Sequence, residues 1–374
     1  MNAHLFDPID LRGVHVPNRI IVSPMGMHSA VEGVAGDWHL MHLGQFAISG
    51  AGLVITEAVA VTPEGRVSPF DLGLWNDEQR AALKRITSFA ATYGGARFGI
   101  QLYHAGRKAS VQPSFLGHKA ITAEEGGWAP EAPSRLGYRG RNEPIALDEP
   151  SMLRIRDAFV AAARRADDAG FELIELHAAH GYLLHNYLSP LSNVRNDGYG
   201  GSLANRMRYP LEVFDAIRAL WPTNKALGVR VSATDWVKGG WDLEQTLAFA
   251  DALKERGCDY LCVSSGGCVP EQTITVGPLY QVPFAAAVRK HAGMPTMAVG
   301  LIRTTDEAAE IVRDGHADMC ALARGMLANP RWAWDAAEKL GASTFFPRQY
   351  DRAHPSMRNN DSFAVRTAGR ATTA

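Results

Sequence analysis

Short runs rich in β-branched and other apolar residues recur along the chain, each followed by a longer stretch in which apolar positions return every three or four residues. The runs are RIIVS near Ile20, GLVITEAV near Val54, ARFGIQL near Ile100, FELIELH near Ile174, ALGVRVS near Val229, DYLCVSS near Cys262, PTMAVG near Ala298 and DMCALAR near Leu322. Strands of this kind belong to a parallel sheet buried on both faces. The stretches between them predict helices over 38–49, 77–92, 151–169, 203–220, 242–256, 280–291, 304–314 and 329–340. Several start at a cap, such as Thr304 with Glu307 three residues on, and several stop at a glycine, such as Gly170, Gly257 or Gly315. Eight such units predict an α/β fold, the (β/α)8 TIM barrel. A doubly wound sheet needs a phosphate fingerprint after its first strand, and SPMGMHS supplies none.

The longest interruption runs from Tyr103 to Pro150 and is rich in Gly, Pro, Ser and Trp. Loops this long in a compact barrel are usually functional, so residues 103–150 read as a cap over the pocket, with room for a small hairpin. The pattern thus divides into a single barrel over 1–350 and a polar tail over 351–374, which either frays or docks on a neighbour.

Charge narrows the partners. Lys and Arg total 38 against 39 Asp and Glu, so no global field favours nucleic acid or a membrane surface, and a small molecule is the expected partner. The N-terminus, MNAHLFDPIDLRG, lacks the basic region and apolar run of a signal peptide, and no stretch approaches eighteen uninterrupted apolar residues; a cytoplasmic location is expected. Cys258, Cys262 and Cys268 have a spacing that suits neither a zinc knuckle nor a usual iron–sulfur run, so these and Cys320 read as reduced, structural thiols.

In a (β/α)8 barrel, chemistry gathers at the C-terminal ends of the strands. Those ends carry Ser23-Pro24-Met25-Gly26, Glu57-Ala58, Gln101 with His104, His177 with His180, Arg230, Ser264 to Gly267, Gly300, and Ala323-Arg324-Gly325. Gly300 and Gly325 follow strands seven and eight, where such barrels commonly bind phosphate, and Arg324 adds charge there. Arg230 stays charged and needs an anion, either on a ligand or as an ion pair with Glu57 or Glu175. For His177 and His180 three readings stand. They could ligate a metal with His104 or Asp235, although H-A-A-H is no established metal motif; they could act as neutral donors gripping a carbonyl or phenolate oxygen; or they could simply pack. In the second reading Tyr182 is a phenol placed to protonate carbon.

Taken together, these residues resemble the Old Yellow Enzyme family of flavin-dependent ene-reductases, in its bacterial class of thermophilic-like members and xenobiotic reductases. The resemblance is carried by LFDPIDLRGVHVPNRIIVSPM, QLYHAGRKA, GFELIELHAAHGYLLHNYLSPLSNVRNDGYGGSLANRMR, VRVSATD, VGLIRT and ALARGML, spanning roughly residues 5 to 350. It implies FMN across the barrel mouth, touched by Ser23, Pro24, Met25, Ala58 and Gln101. Arg230 would stand beside the flavin pyrimidine, and Gly300, Arg324 and Gly325 at its phosphate. It further implies that NADPH or NADH reduces the flavin and that an activated alkene then takes its place, with its oxygen between His177 and His180. Hydride would go to the β-carbon and a proton from Tyr182 to the α-carbon. An arginine matching Arg352 reaches a neighbour's pocket in this class, which implies a homodimer or homotetramer.

This chain departs from the class at Gly26, where many members have Cys, and at His28, where many have Tyr. Both positions adjoin substrate in the family, so substrate preference and flavin potential are expected to differ. Tyr103 stands where a small residue is common and takes back some of the volume that Gly26 opens. Three rivals make different predictions: a phosphate-binding lyase or aldolase would be colourless, a non-catalytic flavin-binding protein would be yellow but inert, and a metal-dependent hydrolase would be stopped by chelator.

Overall fold

Alternate residues of each barrel strand face opposite ways, and the two faces meet different partners. The computed structural model describes residues 4–358. Its barrel strands are β1 (Ile20–Val22), β2 (Leu53–Ala60), β3 (Arg97–Tyr103), β4 (Leu173–Ala178), β5 (Ala226–Ser232), β6 (Leu261–Ser264), β7 (Thr296–Val299) and β8 (Met319–Leu322). Each pairs in parallel with its sequence neighbours, and β8 closes on β1 through Ala321 opposite Ile21. The outward set includes Ile20, Val54, Ile100, Ile174, Leu227 and Ala298, buried in a core shared with the helices. The inward set begins at the bottom with Ile21, Leu53, Leu173, Ala226, Met297 and Met319. That is why the strands read as continuous apolar runs.

A hairpin of Ile9–Leu11 and Val14–Val16 plugs this lower end, adding Leu11, Val14 and Val16 to the inward cluster. The helices are α1 (Asp37–Ala47), α2 (Asp77–Tyr93), α3 (Glu149–Asp168), α4 (Leu203–Leu220), α5 (Leu243–Glu255), α6 (Val282–Ala292), α7 (Thr305–Arg313) and α8 (Trp332–Leu340). At α7 the cap read from sequence is formed: Thr304 Oγ1 accepts from Glu307 N at 3.2 Å, and Glu307 Oε2 from Thr304 N at 3.0 Å. Helix α3 starts before residue 151 because Asp148 is its cap and Pro150 is tolerated in the first turn. Helix α8 starts after residue 329 because Pro330 breaks the run; a separate short helix, Arg324–Ala328, precedes it. No helix among the described residues is long and apolar enough to cross a membrane.

Strand β2 carries one extra residue. Ile55 pairs with Gly99 and Ala58 with Gln101, so three steps on β2 match two on β3. Thr56 Oγ1 fills the irregularity, donating to Glu57 O and accepting weakly from Gln101 N. The bulge turns Glu57 and Ala58, adjacent in sequence, toward the same cavity.

The excursion after β3 differs from the hairpin allowed for it. Its two short strands, Glu131–Ala132 and Ile145–Ala146, pair in parallel, because the chain crosses back between them instead of folding on itself. Of the tail, 351–358 is described and is exposed or half-buried as far as Met357; residues 359–374 lie outside the described residues.

Candidate active site

His177 is the third inward residue of β4, after Leu173 and Glu175, and so stands at the barrel mouth. Its Nδ1 accepts from Ala179 N at 3.2 Å, leaving the proton on Nε2, which faces His180 Nδ1 at 3.3 Å. His180 has a left-handed φ of 57°, followed by Gly181 at 72°. A Cβ at Gly181 would lie 2.3 Å from the Gly267 carbonyl oxygen, so this turn requires glycine. Two contacts fix the turn: His180 N donates to Ser232 Oγ at 2.9 Å, and Lys108 Nζ donates to His180 O at 2.8 Å. Ser264 Oγ lies 2.8 Å from His180 Nε2. The same hydroxyl is within 3.2 Å of Gln281 Oε1; when it donates to His180 instead, the His180 proton sits on Nδ1 and two N–H groups converge on one space. Burial, reinforced by the charge of Arg230, pushes both imidazoles well below the usual 6.5 and keeps them neutral.

Tyr182 caps a short helix, Leu183–Leu188, that the periodicity did not predict. Its ring meets His177 edge-on at 4.8 Å and Tyr103 at 5.2 Å. Burial pushes its phenol up to about 12, so it holds its proton throughout the neutral range.

Arg230 is 8% exposed and makes no ion pair among the described residues. Nη1 donates to Ser23 Oγ at 3.4 Å, and Nε has no partner. Neither acid considered for it takes the role. Glu57 faces His39 Nε2 at 3.3 Å and accepts from Met27 N at 3.1 Å. Glu175 accepts from Gln101 Nε2 at 2.6 Å and from Tyr260 OH at 3.1 Å. A buried guanidinium with an unused N–H therefore stands at the mouth. It lines two cavities at once. One, of about 320 Å³, is bounded by Pro24, Gly26, Ala58, Gln101 and the His177–His180–Tyr182 group. The other, of about 520 Å³, is bounded by Gly300, Arg324 and Gly325. Gly300 has a φ of 116°, and a Cβ there would come within 2.5 Å of Gln281 Nε2. Gln281 is itself held by Ser265 Oγ at 2.7 Å and Val299 O at 3.1 Å.

Opposite His177, a buried Asp71 organises the wall. It accepts from Tyr103 OH at 2.6 Å, Val67 N at 2.8 Å and Ser68 Oγ at 2.7 Å, and meets His28 Nδ1 at 2.8 Å. That carboxylate raises His28 above its usual value. His28 Nε2 faces the position a Cβ would take on Gly26, 3.8 Å away. Sequence reasoning took Tyr103 for a space-filler and missed Asp71 entirely.

The residues weighed as metal ligands do not assemble with the pair. His104 faces Glu131 at 3.3 Å, and Asp235 faces His185 at 3.1 Å. His185, Asp235 and Cys268 do cluster, with ligand atoms within 4.8 Å. Part of their bonding is taken up: His185 Nδ1 accepts from Gly181 N, and Asp235 Oδ2 accepts from Ser189 Oγ and Trp241 N, while His185 Nε2 and Asp235 Oδ1 face only each other, at 3.1 Å. The four thiols are free and buried, and burial pushes each of them up. Arg352 lies exposed on the segment Arg348–Ala353 and lines neither cavity.

Comparison with known proteins gives this geometry a family. Residues 4–342 match the NADH:flavin oxidoreductase / NADH oxidase family. An NADPH dehydrogenase of Geobacillus sp. (strain WCH70) is 42% identical over 94% of this chain and 99% of its own length. One from Listeria innocua is 43% identical over 94% and 99% respectively. Morphinone reductase superposes with a TM-score of 0.77 at 28% identity, covering 96% of this chain and 93% of that one. A cavity pair joined by a buried, half-satisfied arginine, on a scaffold shared with these enzymes, places the chain in the NADH:flavin oxidoreductase family of Old Yellow Enzyme, as an FMN-dependent NAD(P)H oxidoreductase.

Proposed function

We propose that this protein reduces the activated C=C bond of α,β-unsaturated carbonyl or nitro compounds, using electrons from NAD(P)H. FMN fits the residues present: the unpartnered Arg230 Nε awaits an anion between the two cavities, and Gly325 has no atom within 4 Å of where a Cβ would point. Ser23, Pro24, Met25, Ala58, Gln101 and Arg230 would hold its ring system, and Gly300, Arg324 and Gly325 its phosphate. FMN held there would supply the two-electron hydride chemistry that links the nicotinamide donor to the alkene.

The chain's own residues do the rest. His177 Nε2–H and His180 Nδ1–H grip the substrate oxygen and stabilise the charge that builds there as the β-carbon receives hydride. Tyr182 gives its proton to the α-carbon from the opposite side, for a trans addition, and recovers one from solvent. Arg230 would oppose the negative charge that such a cofactor gains on reduction. Gly26 and His28 shape the end of the pocket that selects the substrate. The observation that carries this reading is the pair of neutral imidazoles, nitrogens 3.3 Å apart, over the same cavity as a protonated phenol.

The relatives named NADPH dehydrogenase support NADPH as the donor. We also infer a homodimer or homotetramer in which Arg352 completes a neighbour's pocket; a purely monomeric protein in sedimentation would refute it. The test of the main reading is an anaerobic visible spectrum. Flavin bands should bleach with NADPH and return on adding 2-cyclohexenone, and bands that bleach but never return with any enone or nitroalkene would refute alkene reduction.

A further inference from the structure

The excursion between β3 and α3 carries a charge pattern that neither half-reaction uses. Arg107, Lys108 and Arg141 pack around one ring, that of Tyr138, at 5.8, 4.6 and 4.9 Å from its centre. None of them forms an ion pair among the described residues: Glu131 is engaged with His104 and Arg154 and Glu143 with Arg135, while the exposed Glu271 is near enough to raise the Tyr138 phenol but bonds to none of the three. Their partners are backbone carbonyls. Arg141 Nη1 donates to Lys108 O, Arg107 Nη2 to Cys268 O and Lys108 Nζ to His180 O. A carbonyl accepts a hydrogen bond but neutralises no charge, so two guanidiniums, with a lysine beside them, stand around a single phenol ring without a bonded counter-charge. Arg107, 3% exposed, also has an Nε without an acceptor. Burial, with Arg141 beside it, pushes Lys108 down to about 7, a further sign that the cluster lacks an anion.

The cluster borders the rim of the substrate cavity. Lys108 Nζ stands 5.9 Å from the Tyr182 ring centre, and Arg141 Nη2 meets Nε2 of His118, an exposed residue that lines the cavity. A small enone held at His177 and His180 ends inside the cavity, whereas a nicotinamide in the same place trails its phosphorylated ribose out across the rim. The geometry points to a phosphoryl-binding site on the excursion, where Lys108 and Arg141, spread on the Tyr138 ring, receive a phosphate of the nicotinamide dinucleotide. This rests on the reading that the donor's nicotinamide enters the His177–His180–Tyr182 cavity.

The test is rapid-mixing flavin reduction by NADPH, NADH and the phosphate-free 1-benzyl-1,4-dihydronicotinamide, comparing the wild-type holoenzyme with Arg141→Gln and Arg141→Lys. We expect Arg141→Gln to weaken NADPH binding about tenfold, the size of one charge-assisted hydrogen bond, with the limiting rate little changed and Arg141→Lys largely restoring it. NADPH binding should also weaken with ionic strength, less steeply in Arg141→Gln. Loss for NADPH alone assigns the site to the 2′-phosphate; equal loss for NADPH and NADH assigns it to the pyrophosphate. Unchanged NADPH binding in a variant with normal flavin content and normal reoxidation by 2-cyclohexenone overturns the proposal. So does an equal loss with the phosphate-free donor. Failure of the underlying reading looks different: no donor reduces the flavin even in the wild type.

Discussion

The floor and the mouth of the barrel are made by the same strands and the same inward parity, and they share almost no chemistry. Strand β4 presents Leu173 at the floor, Glu175 midway and His177 at the mouth, two residues apart each time. At the floor, Ile21, Leu53, Met297 and Met319 pack under a hairpin that seals them from water. At the mouth, His177, Arg230 and Asp71 are just as buried, but each is held by directed hydrogen bonds or left with one to make. Burial therefore does different work at the two ends. Below, it drives folding; above, it keeps imidazoles neutral and a phenol protonated.

That contrast can be broken from either side. The largest effect belongs to the mouth: Tyr182→Phe should slow reoxidation of reduced flavin by 2-cyclohexenone by about 10²–10⁴-fold, the usual worth of a general acid, while reduction by NADPH changes only a few-fold. Stopped-flow traces of the two half-reactions separate these. Leu53→Ala should do the reverse, lowering stability by about 2–5 kcal/mol in thermal or denaturant unfolding with kcat/KM unchanged on the folded protein. Asp71→Asn sits between the two. It should cost about 1–3 kcal/mol by weakening the hold on His28 and Tyr103, and should also shift substrate preference.

The smallest effect is in pH. His177, His180 and His42, the last pushed to about 4, are buried neutral, and the unfolded chain would protonate them near 6.5. Their stabilising contribution is complete above that pH and declines as pH falls below it. His28 has the opposite sign, since its raised value means stability present below 6.5 and lost as pH rises through the folded value. Unfolding midpoints measured from pH 4 to 8 should fall on the acid side, and His28→Gln should remove only the decline on the alkaline side.

The barrel was legible because each strand and helix is signalled within its own few residues: apolar runs, caps such as Thr304, stops at glycine. His177, His180 and Arg230 were legible too, because a polar residue at the end of an apolar strand is conspicuous. Asp71 was not. It lies in a loop with no periodicity, and its meaning comes from Tyr103, 32 residues away, and His28, 43 residues away. Lys108 escaped for the same reason, and Ser264, although read as a strand end, was not tied to His180, since each acts on it from a distant part of the chain. The helix Leu183–Leu188 is too short for its periodicity to register.

The extra residue in β2 acts like a frameshift in a code of period two. Upstream of it, Leu53 and Ile55 point inward; downstream, Ala58 does, and Val59 returns to the outer core. Deleting one residue at Thr56 or Glu57 would restore a regular ladder and leave Ala58, Val59 and Ala60 facing as they do, because Ile55 and Ala58 would then stand two steps apart, like Gly99 and Gln101. Either deletion would instead take the Glu57 carboxylate out of the cavity wall, removing it outright or turning it to the other face between Ile55 and Ala58. The irregularity thus inserts one polar wall residue while the alternation on either side of it runs on undisturbed.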